Sequence, residues 1–162
     1  MVDDVVQVVE LPGQRLAAVR HVGAYTGIGA AFDRLGAWAR ANRAAVVGAP
    51  LAIYLDDPQQ VPAERLRSDA AVPVTEEVTI GGAPGIGVPG VSEARLAGGR
   101  HAVAEHRGPY SGLAGAWPRF MAAVAVAGLR VDPGRPCFEV YRNEPGTVPE
   151  AELVTLLHAP LA

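Results

Sequence analysis

The chain has 162 residues, 49% of them hydrophobic and 19% charged, with a net charge of −3, the profile of an ordinary globular domain. The acidic balance and the lack of Lys/Arg runs argue against direct nucleic-acid binding, and no apolar run is long enough to cross a membrane. One cysteine, Cys137, excludes an internal disulfide and a paired-cysteine metal site.

In chain order, Val5 to Glu10 is a candidate strand, and the start Met1-Val-Asp-Asp4 has no basic region followed by an apolar stretch. A signal peptide is therefore not expected, and a cytoplasmic location is. After the Pro12-Gly13 turn signal, Arg15 to His21 reads as a strand. Thr26 reads as a helix N-cap, and Ile28, Ala31, Phe32, Leu35 and Trp38 or Ala39 have helical spacing. Leu51 to Leu55 and Leu66 to Val74 are the next strands. Residues 81–90 form a Gly/Pro-rich linker. Its literal Gly85-Ile-Gly87-Val-Pro-Gly90 has no flanking strand–helix context and is not a dinucleotide fingerprint.

Beyond the linker the order repeats. Val91 to Leu96 and Arg100 to His106 are strands, Ser111 is the cap, and Leu113, Ala116, Trp117, Phe120, Met121 and Val124 form a helical stripe ended by Gly128. Cys137 to Tyr141 and Glu152 to His158 are the last strands. The residues repeat too. His21-Val-Gly-Ala-Tyr-Thr-Gly27 returns as His106-Arg-Gly-Pro-Tyr-Ser-Gly112 at an offset of 85. Leu51-Ala-Ile-Tyr-Leu-Asp-Asp-Pro58 returns as Phe138-Glu-Val-Tyr-Arg-Asn-Glu-Pro145 at an offset of 87. The expected architecture is α+β: repeats 1–80 and 91–162 form one domain of duplicated β-α-β-β units, each with a leading strand. Together they give a largely antiparallel sheet of about eight strands with two helices on one face.

The repeat also serves as an internal control, because a position the fold fills one way in one copy and another way in the other is not dictated by the fold. Strand side chains alternate, so Cys137, Glu139 and Tyr141 share one face and Phe138 and Val140 the other. The apolar Phe138 face is expected beneath the helices, with the Glu139 face opposite. Ala52 matches Glu139, Arg20 matches Glu105, and Trp38 matches Ala123. Glu139 is the candidate ligand anchor, with Tyr141, Tyr54, Tyr110 and Trp38 as candidate walls, since flat aromatic faces suit cations. If the protein is an enzyme, Glu139 and Glu105 are the candidate catalytic pair, one as base and one orienting water. Phe32 and Trp117 read as core, His21 and His106 as turn-holding residues, and Cys137 as a small filler. No cofactor and no metal site is expected.

His106-Arg-Gly-Pro-Tyr-Ser-Gly112, Pro136 to Pro145 and the closing Glu152 to Leu161 together resemble the GyrI-like small-molecule-binding family. That domain also serves as the effector-binding half of multidrug-sensing transcription regulators. The resemblance covers nearly the whole chain. It implies a ligand cleft between the repeats, faced by an acidic residue on the penultimate strand, here Glu139. It implies a binder of amphipathic, aromatic or cationic molecules acting by sequestration or sensing. Alternatives in such a family are a hydrolase opening strained rings of genotoxic compounds and a gyrase-protecting protein with its own protein partner.

Overall fold

The computed structural model describes residues 5–81 and 90–162; the Gly85–Gly90 motif lies almost wholly outside the described residues. The strands are β1 (Gln7–Leu11), β2 (Gln14–Val22), β3 (Leu51–Tyr54), β4 (Arg67–Pro73), β5 (Val91–Leu96), β6 (Gly99–Arg107), β7 (Cys137–Tyr141) and β8 (Val154–Pro160). The helices are α1 (Gly29–Ala41) and α2 (Leu113–Val126). The class is α+β, with eight strands in antiparallel ladders and two α-helices among the described residues.

Two compact units are present, Gly13–Ala97 and Gly98–Ala162 joined by the N-terminal segment through Pro12. In the first, the strand order is β3-β4-β2-β5; in the second it is β1-β6-β8-β7. The leading strands are thus exchanged. β1 does not extend the copy it precedes but pairs with β6, Val9 facing His101, while β5 pairs with β2, Ala18 facing Ser92.

Within the first unit, α1 lays Ala31, Leu35 and Trp38 on Ala17, Val19, Ala70 and Val72. Within the second, α2 lays Leu113, Ala116, Phe120 and Val124 on Ala102, Ala104, Leu157 and Ala159. Fully burying a side chain such as Phe120 stabilises by about 1.5–3 kcal/mol, and Phe120 is wholly buried.

The ladders correct one expectation. Ala104 faces Leu157, and Leu157 faces Glu139, so Glu139 lies on the face that α2 covers. Phe138 and Val140 point the other way. In the first unit Ala52 faces Ala70 on the helix side, and Leu51 and Ile53 point away. The reason is steric. The alanines at 17, 70, 102, 104 and 159 make a low floor on which a helix can sit. Bulky Phe138 is accommodated opposite, stacked on His158 with ring centroids 4.5 Å apart and with His101 edge-on at 5.5 Å.

Helix entry also differs from expectation. Thr26 and Ser111 lie in short 3-10 turns, Tyr25–Gly27 and Tyr110–Gly112, and neither helix has a side-chain cap bond. The repeated His and Gly residues shape this turn. His21 Nε2 lies 2.9 Å from the Ala24 carbonyl, and His106 Nε2 lies 3.2 Å from that of Pro109. A Cβ at Gly112 would come within 2.9 Å of the His106 ring. Gly23 and Gly108 have φ of +134° and +121°, which side-chain-bearing residues rarely adopt.

Candidate functional site

β7 and α2 bring three polar side chains together in the second unit. Glu139 is 2% exposed and accepts two short hydrogen bonds. The Trp117 indole Nε1 donates to Oε1 at 2.6 Å, and the Tyr141 hydroxyl donates to Oε2 at 2.6 Å. Such bonds to a charged acceptor are stronger than neutral ones. The Tyr110 ring lies 5.3 Å from that of Tyr141, tilted by 53°. Burial, then the carboxylates of Glu144 and Glu139, push the Tyr110 hydroxyl above its ordinary pKa. Among the described residues no Arg, Lys or His forms an ion pair with Glu139.

The other copy shows what the fold does without this constellation. Ala52 stands in place of Glu139 and Phe32 in place of Trp117. The acceptor and its indole donor therefore appear in the same copy. Tyr25 and Tyr54 keep the ring pair, 4.7 Å apart at 49°. There the Tyr25 hydroxyl donates to the Asp56 carbonyl and accepts from the Asp56 amide. The Tyr110 hydroxyl has no such partner among the described residues, and Tyr110 is 36% exposed.

Of the remaining candidates, Trp38 and Tyr54 lie in the first unit and Glu105 in the second. Trp38 is buried in the α1 core, beside Leu35 and Val72. Tyr54 pairs with Tyr25 in the first unit. Glu105 faces Leu156, one residue off the Leu157–Glu139 row, and so lies on the opposite face of the sheet from Glu139. Its Oε1 pairs with Arg107 Nε at 2.7 Å. The proposed pair of catalytic carboxylates is not formed, because the strand pleat sends them to opposite sides. Cys137 packs against the α2 core, and burial pushes its thiol up to about 11, so it is no thiolate nucleophile at neutral pH. Among the described residues no group of three His, Cys, Asp or Glu is placed to hold a metal ion.

Trp117 is the residue that sequence reasoning assigned to the core. It is half-buried, and its N–H bonds Glu139. The signal was present in the repeat: Phe32 becoming Trp117 keeps the ring and adds one donor.

The fold and the site define an α+β ligand-binding architecture built on a duplicated strand–helix–two-strand unit. The chain belongs to the GyrI-like small-molecule-binding domain family, whose profile matches residues 5–162. It is 35% identical over 142 residues to a DNA gyrase inhibitor of Edwardsiella ictaluri, covering 86% of this chain and 87% of that protein. Its fold is similar to the EcmrR C-terminal domain (TM-score 0.75, 16% identity, 100% of this chain and 98% of that one). It is also similar to SAV2435, solved bound to tetraphenylphosphonium (TM-score 0.67, 12% identity, 98% and 94%). No helix among the described residues is long and apolar enough to cross a membrane.

Proposed function

We propose that this protein binds an amphipathic aromatic cation at Glu139 and acts by sequestration or sensing. One observation carries the reading: a buried carboxylate held by two neutral donors, with no cation paired to it among the described residues. Taking an ion out of water costs several kcal/mol unless an opposite charge compensates. A ligand cation would supply that charge. The rings of Trp117, Tyr141 and Tyr110 would add cation–π contacts of about 0.5–2 kcal/mol each. The trait Ala52→Glu139 between the copies fits a functional demand, since the fold accepts Ala there. The family membership and the tetraphenylphosphonium-bound fold neighbour support the same ligand class.

The test is titration calorimetry with tetraphenylphosphonium on the wild type and on Glu139→Gln. A charge about 6 Å from the carboxylate at an effective dielectric of about 20 gains about 3 kcal/mol. Glu139→Gln should therefore weaken binding on the order of a hundredfold. Equal affinity in the two proteins would refute the assignment. A second reading, action on DNA gyrase, is favoured by the gyrase inhibitor at 35% identity. Retention of purified gyrase on the immobilised protein at moderate salt would support it, and no retention would remove it.

A further inference from the structure

The sheet face turned away from α2 holds a second exception to the repeat. At the offset of 85, His101 stands where the first copy has Leu16. At the offset of 87, His158 stands for Ala71 and Phe138 for Leu51. The ladders agree, since Leu51 faces Ala71 and Phe138 faces His158. Leu16, Leu51 and Ala71 are all buried. The fold thus accepts apolar side chains at these positions in one copy and carries two imidazoles beside a phenyl ring in the other. Both imidazoles are buried, His101 at 2% exposure and His158 at 5%.

His101 Nδ1 lies 3.0 Å from the Gly99 carbonyl. A carbonyl only accepts, so Nδ1 carries the proton and Nε2 keeps its lone pair. Metal-binding histidines are held in this way, with the second nitrogen donating to a backbone carbonyl. His158 has neither ring nitrogen hydrogen-bonded among the described residues, although a buried polar group without a partner costs stability. A buried water wants about three polar partners, and the His158 ring instead stacks on Phe138 and has Val103 opposite it on β6. Burial lowers the pKa of both histidines. Both rings are therefore neutral at pH 7, the form that binds metal.

The two ring centres are 6.1 Å apart. Two imidazole nitrogens in line on one ion, each about 2 Å from it, place their ring centres about 6 Å apart. The 70° between the ring planes is compatible with this, because a linear nitrogen–metal–nitrogen axis leaves each ring free to turn. The donor count selects the ion. Structural zinc asks for four ligands, and among the described residues no group of three His, Cys, Asp or Glu is placed to hold a metal. A doubly charged ion would also cost far more to desolvate in this apolar setting than a singly charged one. Glu10 and Arg135 are the charged groups that act on His101. Arg135 is itself held by Asp132 and by the Gly98 and Leu161 carbonyls.

We propose that His101 and His158 form a two-coordinate site for a soft monovalent metal ion, copper(I) above all. His101 Nε2 and one ring nitrogen of His158 are the ligands, Gly99 holds the His101 ring, and Phe138 backs the His158 ring. Val103, Val140 and Leu156 on the same face are only half-buried, which leaves the edge of the cluster within reach of an ion. The site lies on the opposite face of the sheet from Glu139 and does not depend on the function proposed there.

The test is anaerobic titration of the full chain with copper(I), in competition with the chromophoric chelator ferrozine. Binding of one equivalent is expected, with zinc(II) much weaker. His101→Leu and His158→Ala install the residues the fold already accepts in the first copy, and a cooperative thermal melt shows that each variant folds. Each should lower copper(I) affinity about a hundredfold or more. Cys137→Ser should bind as the wild type does, since the thiol packs on the α2 side. Nitrogen-15 NMR with silver(I), a diamagnetic probe, should move the ring-nitrogen signals of His101 and His158 and leave those of His21 and His106 in place. The proposal is overturned if copper(I) does not bind at micromolar concentration, or if either folded histidine variant binds it as tightly as the wild type. Loss of binding in Cys137→Ser, zinc(II) binding as tightly as copper(I), or silver(I) shifts confined to His21 and His106 also overturns it.

Discussion

Converting the second copy into the chemistry of the first is a direct test of the Glu139 constellation. The substitutions are Glu139→Ala and Trp117→Phe, singly and together, which install the residues that the first copy carries at Ala52 and Phe32. Trp117→Phe alone removes the 2.6 Å donor to a carboxylate that is 2% exposed. A hydrogen bond to a charged group contributes about 1.5–3 kcal/mol, and a buried acceptor left short of partners costs a similar amount. Trp117→Phe should therefore lower unfolding stability by about 2–3 kcal/mol. Glu139→Ala removes the buried charge but orphans the indole N–H and the Tyr141 hydroxyl, and it leaves a cavity. In the double variant the lost donor no longer has an acceptor to orphan. The double variant should therefore be more stable than the sum of the singles predicts, by a coupling of about 1.5–3 kcal/mol. Urea unfolding curves at pH 7 for the four proteins measure this, with constant m-values required. Additivity within about 0.5 kcal/mol would show that the two side chains are energetically independent, and the reasoning about paired asymmetry would fail.

Acid should weaken the fold before the carboxylates titrate. His158 is buried against Phe138 with neither ring nitrogen bonded, and burial, with His101 nearby, pushes its pKa down from 6.5 to about 4. His101 is lowered as well, by burial first. The neutral form is favoured in the folded state, so stability is full above pH 6.5 and falls as pH drops toward 4. At about 1.4 kcal/mol per pH unit, His158 accounts for a loss of about 2 kcal/mol between pH 6.5 and 5. His158→Leu should flatten that slope in urea unfolding, and an unchanged slope would contradict the assignment. The two matched tyrosines should behave differently. Tyr25→Phe deletes a hydroxyl bonded twice to the Asp56 backbone and should cost about 1 kcal/mol in thermal or urea unfolding. Tyr110→Phe should cost less than half of that, and an equal loss would show that both hydroxyls are structural. Gly112→Ala would bring a Cβ within 2.9 Å of His106 and should cost about 1–3 kcal/mol. A melting temperature equal to that of the wild type would disprove the close-packed turn.

How much of the site was legible depended on which physical signal carried it. The carboxylate was visible, because a repeat exposes any position where one copy carries Glu and the other Ala. Its indole partner was hidden, because Phe32 and Trp117 occupy the same apolar helical stripe and periodicity does not register an N–H. The two-carboxylate pairing failed on register: Glu105 and Glu139 are both on strands, but a one-residue phase difference across β8 sends them to opposite faces. The helix caps failed for a local reason, since Thr26 and Ser111 fall in a 3-10 turn already organised by His21 and His106.

By itself the sequence determined the duplication, the strand and helix segments, the α+β class and the exchange of Ala52 for an acidic residue at Glu139. These follow from local periodicity and from comparing one copy with the other. Tertiary structure alone decided the rest. It decided that β1 joins the second unit and β5 the first, because backbone ladders can form with any strand of suitable register. It also decided that the alanine-rich face, with Glu139 on it, is the one the helix covers. Both strand faces carry apolar residues, so alternation could not choose between them. The height of the side chains on each face did.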